Sequence, residues 1–181
     1  VIDSDSIYKD ALSVALGSNL NVVIVDNELS AKNAIKYLQE NKLGRCTFYP
    51  LNVIKPKYVS DEVLDKCKVL DGFINTLDKL VSFDKSYKNI VLNLLGNILV
   101  VDNIDTMNKL GKLINYSYRV VTLDGNILHT GGSITGGSIR KNSNVLLDKF
   151  ELNSANNELD KLLLDKVNVE NSITHYDGKL K

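Results

Sequence analysis

The chain has 181 residues, of which 44% are hydrophobic and 24% charged, with 22 Lys+Arg against 22 Asp+Glu. That composition supports a buried core and excludes a disordered chain, and the length allows one domain or two small lobes. A net charge of zero excludes a protein that coats nucleic acid or anionic membrane with its whole surface, and no apolar run approaches the ~18 residues needed to cross a bilayer.

The chain repeats itself. Tyr8-Lys9-Asp10 opens a helical pattern carrying Ile7, Ala11, Leu12, Ala15 and Leu16 and ending at Gly17. A short β-branched run, Val22-Val23-Ile24-Val25, follows and ends in Asp26-Asn27. Asn27 is placed to cap the next helix, which carries Ala31, Ala34, Ile35 and Leu38 and stops at Gly44. Arg45-Cys46-Thr47-Phe48 reads as the next strand. The stretch from Tyr58 to Asp84, with Val63, Leu64, Cys67, Leu70 and Ile74 at helical spacing, reads as a connector.

The second copy begins at Tyr87-Lys88-Asn89 with Ile90, Val91, Leu94 and Leu95, and ends at Gly96. Gly17 and Gly96 both sit where a helix terminus calls for a left-handed residue. Ile98-Leu99-Val100-Val101 ends in Asp102-Asn103, and a helix carries Ile104, Met107, Leu110 and Ile114. Both apolar runs are continuous rather than alternating, which predicts strands covered on both faces. Arg119-Val120-Val121-Thr122-Leu123 is the last strand of the copy, and Asp124-Gly125 turns it into Asn126-Ile127-Leu128-His129. The unit is helix, strand, helix, strand, used twice. The fold class is α/β (α+β), with two pseudo-repeated lobes and a mixed sheet. The divisions are 1–57, a connector at 58–84, a second lobe at 85–140 and an exit segment at 141–181.

Gly131-Gly132-Ser133-Ile134-Thr135-Gly136-Gly137-Ser138 has the glycine spacing of a phosphate loop, but Gly137 stands where that loop needs lysine. No periodic helix opens there to hold phosphate. The alternative reading, a nucleotide-binding enzyme domain built on 131–138, therefore ranks below close backbone approach, which glycine permits because it lacks Cβ. Beyond Leu146 the strand signals stop. Leu152, Leu159, Leu163, Ile173 and Leu180 form a degraded heptad, with Asn156, Lys166, Glu170 and Asp177 in its gaps. Cys46 and Cys67 lack C-x-x-C spacing and suit a reducing compartment. His129 and His175 lie near no nucleophile or ligand set, so no catalytic residue, metal or cofactor is assigned.

Leu43-Gly44-Arg45-Cys46-Thr47-Phe48-Tyr49-Pro50-Leu51, with Ile54-Lys55-Pro56-Lys57 after it, resembles the first-lobe motif of the hinge domain of SMC (structural maintenance of chromosomes) proteins. Arg119 to Gly125 with the downstream Gly-Gly-Ser-Ile-Thr-Gly-Gly segment resembles the second-lobe motif, and Ala11 to Gly17 the first helix. The resemblance runs from Ile7 to Ser138 and looks most like the bacterial branch. It implies a non-catalytic module that joins the two strands of a long antiparallel coiled coil, far from the ATPase heads. It implies a homodimer in which the first lobe of one subunit meets the second lobe of the other. On that carry-over Gly131, Gly132, Ser133, Ile134, Thr135, Gly136 and Gly137 belong to the dimer contact.

The resemblance further implies weak, sequence-independent DNA contact near the junction with the coil, for which Arg140, Lys141, Lys149, Lys55 and Lys57 are the candidates. Kleisin-type subunits are expected at the heads, outside this chain, and the location is the cytoplasm at the nucleoid, with no membrane partner. Two departures stand out. Members of the family carry a further stretch before the first helix, so a chain that starts at Val1, as a fragment would, is expected to lack part of the first lobe's sheet. His175-Tyr176-Asp177-Gly178 should fray the returning arm, because glycine costs roughly 1 kcal/mol inside a helix.

Overall fold

The protein is described by a computed structural model over residues 2–137 and 145–179. It divides into two units, Val1–Arg140 and Lys141–Lys181. The first half of the first unit runs β1 (Ile2–Ser4), a 3-10 turn (Ser6–Tyr8), α1 (Lys9–Leu16), a second 3-10 turn (Gly17–Asn21), β2 (Val23–Val25), α2 (Glu28–Glu40) and β3 (Phe48–Pro50). Next come α3 (Asp61–Lys68), β4 (Phe73–Thr76) and a 3-10 turn at Leu77–Lys79. The second half runs β5 (Val81–Phe83), a 3-10 turn (Lys85–Tyr87), α4 (Lys88–Leu95), β6 (Ile98–Val101), α5 (Ile104–Leu113) and β7 (Arg119–Thr122), followed by β8 (Ile127–Leu128) and β9 (Ile134–Thr135).

The repeat is real at the level of single bonds. Asn27 accepts a hydrogen bond from the Ser30 amide at 3.0 Å, and Asn103 accepts one from the Thr106 amide at 2.9 Å. Both are extended at the cap, with φ/ψ of −155/174° and −149/173°. Each side-chain oxygen satisfies one of the free amides of the first helical turn. Asn103→Ala is expected to lower stability by about 1 kcal/mol, read as a shift in the urea midpoint at constant slope. The parallel pairs match too: Val23 faces Phe48, and Leu99 faces Val120.

The two halves are also joined by their own symmetry. β1 pairs antiparallel with β5, its counterpart at an offset of 79 residues, with Ile2 opposite Phe83, Asp3 opposite Ser82 and Ser4 opposite Val81. Asp3 thus faces its own repeat equivalent, while Ile2 and Ser4 exchange partners, as a local two-fold axis between the strands requires. α1 and α4 pack together across the same region. Arg119 adds a cross-tie: its guanidinium donates to the Ala15 carbonyl at 3.2 Å, in the last turn of α1, where a cation is favoured. Burial pulls the Arg119 pKa below its ordinary value.

The halves differ in how their sheets are finished. The second carries the five-stranded order β4-β6-β7-β8-β9, whereas β2 and β3 form a sheet of two. All four residues of β6 are buried, whereas none of β2 is. The expectation of full cover holds for β6, a central strand of its sheet, and fails for β2, which belongs to a sheet of two. Leu99, Val101, Met107, Leu110, Val120 and Leu128 form one cluster of the core with Val59 and Cys67.

Cys67 lies inside that core, and burial pushes its thiol up to about 11. Above the ordinary thiol range the unfolded chain loses this proton first, so stability falls as pH rises through the native value. At pH 8 an alkylating reagent is expected to label Cys46, which is exposed, and to spare Cys67 until the chain is denatured. Two labels per native chain, counted by mass spectrometry, would contradict this burial.

Several expected boundaries move. The strand read at Arg45–Phe48 lies at Phe48–Pro50 instead. Helix α2 ends at Glu40, before Gly44, and Lys42 takes the left-handed turn with φ of 54°. Ile74, read as helical, lies in β4, so the connector supplies an edge strand of the main sheet. Gly96 is right-handed, with φ of −67°, so it is glycine for want of room and not for a left-handed cap.

The second unit is a single helix, α6 (Val145–Lys179), of 35 residues. Its length is about 52 Å at 1.5 Å per residue. The helix runs through His175–Gly178, where fraying is expected, and on to Lys179. Leu152 and Leu159 on it are more than half exposed.

Candidate self-association surface

The glycine-rich segment is a hairpin turn and an edge strand. β8 pairs antiparallel with β9, Ile127 opposite Thr135 and Leu128 opposite Ile134. The turn between them is closed by the Gly132 amide donating to the His129 carbonyl at 3.0 Å and the His129 amide donating to the Ser133 carbonyl at 2.8 Å. Gly131 and Gly132 supply the positive φ angles this needs, 85° and 99°. The Gly131 amide donates to the Tyr116 carbonyl at 3.0 Å, which ties the turn to the loop between α5 and β7. His129 Nε2 lies 3.1 Å from Thr135 Oγ1 and braces the strand from its side chain. Since the Gly131 and Gly132 amides already have carbonyl partners, they are not the free donors that a phosphate loop offers.

Ladder alternation decides which backbone groups remain open. His129 and Ser133 are joined by a hydrogen bond, so the next pair, Leu128 and Ile134, points its N–H and C=O groups away from each other. The Ile134 amide and carbonyl therefore face the outer edge of the five-stranded sheet. The Ile134 side chain is 49% exposed. Among the described residues no strand pairs with this edge, and an unpaired edge with an exposed apolar residue is a template for another strand.

The seven glycine-segment residues do not behave alike. A Cβ on Gly131 or Gly137 would meet nothing within 4 Å. One on Gly132 would lie 3.5 Å from the Tyr116 ring, an ordinary contact. One on Gly136 would press on the Asn126 side chain, with its Cγ at 3.2 Å. Asn126 donates in turn to Asp124 at 3.0 Å, so the space beside Gly136 is used within the chain. Ser133 is exposed, as is Thr135.

Of the basic candidates, Lys55 and Lys57 come together on one extended segment, both exposed. Its backbone is pinned to α4: Asn93 Nδ2 donates to the Lys55 carbonyl at 2.8 Å, and the Lys57 amide donates to the Leu92 carbonyl at 3.3 Å. Arg140 and Lys141 lie outside the described residues, and Lys149 is described only as backbone of α6. Among the described residues no group of three His, Cys, Asp or Glu is arranged to hold a metal ion. Sequence reasoning missed the His129–Thr135 brace and the Arg119 cross-tie. A charged residue opening a buried strand was the one available signal for the second.

Comparison with known proteins follows the same lines. The model of the SMC proteins flexible hinge domain matches residues 1–111. The chromosome partition protein Smc of Bacillus subtilis is 37% identical over 149 residues, covering 82% of this chain and 13% of that protein. The Clostridium kluyveri protein of the same name is 38% identical over 153 residues, with 84% and 13% covered. The chain thus spans about an eighth of the length of these relatives. Among solved structures, an asymmetric dimer of the Geobacillus stearothermophilus SMC hinge domain superposes with a TM-score of 0.78 at 34% identity, covering 90% of this chain and 66% of that one. The Pyrococcus furiosus Smc hinge domain with an extended coiled coil gives 0.65 at 33% identity, with 95% and 62% covered.

Proposed function

The chain belongs to the SMC hinge domain family, and we propose that it is a self-pairing, non-catalytic joint between two arms of a chromosome partition protein. The observation that carries this reading is the pair of unfinished sheets. β9 offers an open edge at Ile134, and the β2–β3 sheet is two strands wide with part-exposed residues. In a closed two-fold dimer the second lobe of each copy, with its edge at β9, meets the first lobe of the other. The Geobacillus relative is an asymmetric dimer, which supports self-association. Sedimentation equilibrium at micromolar concentration tests it: a dimer is expected, and a strictly monomeric chain would overturn it.

In this reading the lobes are centred on residues 1–57 and 85–140, the second taking β4 from the connector as an edge strand, and α6 is the start of the returning coiled-coil strand. The Pyrococcus relative carries an extended coiled coil, which supports that reading. The protein works in the cytoplasm at the nucleoid, and kleisin-type subunits bind the distant heads. DNA contact is a second element of the proposal, supported by the exposed Lys55 and Lys57 on a backbone fixed against α4. Such contact goes to phosphates, weakens steeply with salt and has no sequence preference. Reversing Lys55, Lys57, Arg140 and Lys141 to Glu is expected to abolish a low-salt mobility shift. An unchanged shift places the contact elsewhere.

A further inference from the structure

Helix α6 carries a cleaner seam than its leucines first show. At alternating steps of three and four, the residues Leu152, Ala155, Leu159, Leu162, Lys166 and Val169 follow one another, and Ile173, Tyr176 and Leu180 continue the series in sequence. From Leu152 to Leu180 every position is apolar or aromatic except Lys166, whereas one step upstream the same frame falls on Asp148. In this frame Leu162, not Leu163, belongs to the seam, and Asn156, Glu170 and Asp177 drop to its flank. All six residues from Leu152 to Val169 are exposed.

A lone ammonium in an apolar seam is expensive to cover unless it meets an opposite charge. The partner within the helix is weak. Glu170 Oε1 lies 3.7 Å from Lys166 Nζ, beyond hydrogen-bond range, and the two side chains are 67% and 60% exposed. Lysine preceding glutamate by four residues is also the less favourable order on a helix. A single lysine at a seam position costs stability and fixes register.

We infer that the helix covering α6 presents a carboxylate to Lys166, and that this contact sets the register of the arm. The inference rests on the reading of α6 as a coiled-coil strand. The occupant is therefore an amphipathic helix with an apolar seam and one acidic residue at the layer of Lys166.

The test is a charge swap in the full-length protein, Lys166→Glu with Glu170→Lys, read by hydrogen exchange of peptides covering 159–171. The swap keeps the in-helix pair and puts it in the better order. If Lys166 merely leans out to Glu170, protection is unchanged or rises, and the inference fails. If a carboxylate faces Lys166, two negative charges now meet, and exchange speeds by at least about tenfold, equivalent to ~1.4 kcal/mol. Leu162→Ser and Leu163→Ser test the underlying frame. Leu162→Ser is expected to speed exchange and Leu163→Ser to do so much less. If neither variant changes protection, the coiled-coil reading itself falls. If Leu162→Ser acts and the swap does not, only the role of Lys166 falls.

Discussion

Ile134→Pro is expected to weaken the dimer by at least about 100-fold and to leave the fold intact. Proline removes one N–H, and at Ile134 that N–H faces the open edge, not β8. Its fixed φ is compatible with an extended residue, and an edge strand is where sheets tolerate it. A backbone hydrogen bond contributes about 1 kcal/mol net, and a two-fold dimer uses this edge twice. The loss of apolar contact from the half-exposed Ile134 side chain adds to that. Together these reach the ~2.7 kcal/mol that corresponds to 100-fold. Sedimentation equilibrium reads the constant, and circular dichroism with the urea midpoint checks the fold. A dimer of native affinity would show that β9 is not the contact. Bulky substitutions at the glycines are a blunter tool. At Gly136 a side chain strikes Asn126 inside the chain, so loss of pairing and local damage would be confused. Gly131 has open space beside it, and the strain there comes from its φ of 85°.

Local chemistry explains which parts of this fold can be read from the sequence. The Asn27 and Asn103 caps and the helices Lys9–Leu16 and Lys88–Leu95 depend on neighbours within four residues, and they stand where the pattern puts them. The hairpin at Asp124-Gly125 is equally local: Gly125 takes a φ of 83° and its amide donates to the Thr122 carbonyl. β4, β5 and β9 are different. Each has two to four residues, and each exists because a distant strand lies beside it: β6, β1 and β8. In β4 the apolar residues Phe73 and Ile74 continue the helical spacing of α3, which hides the change of period. In β9 the flanking glycines read as a loop. The motif order carried the candidate surface without showing its form, since edge and turn are both consequences of pairing with β8.

Gly17→Ala and Gly96→Ala separate two reasons for the same residue at one repeat position. Gly17 has φ of 49° and open space for 4 Å around where a Cβ would stand, so alanine there brings backbone strain of about 1–3 kcal/mol and no collision. Gly96 has an ordinary helical backbone, but a Cβ would strike the Lys57 carbonyl oxygen and come within 2.7 Å of the Leu92 carbonyl oxygen. Neither obstacle is a side chain that can swing away. The Lys57 segment must lift from α4, which breaks the bond from the Lys57 amide to Leu92 and strains that from Asn93 to Lys55. Overpacking and the lost bonds together are expected to cost Gly96→Ala about 3–4 kcal/mol, the larger loss of the two. The urea midpoint reads both. Hydrogen exchange at the Lys57 amide assigns the cause, because it should accelerate in Gly96→Ala and stay native in Gly17→Ala. If Lys57 stays protected in both, the segment that carries Lys55 and Lys57 is not held by its contact with α4. The basic pair would then lack the fixed backbone on which its proposed contact with DNA depends.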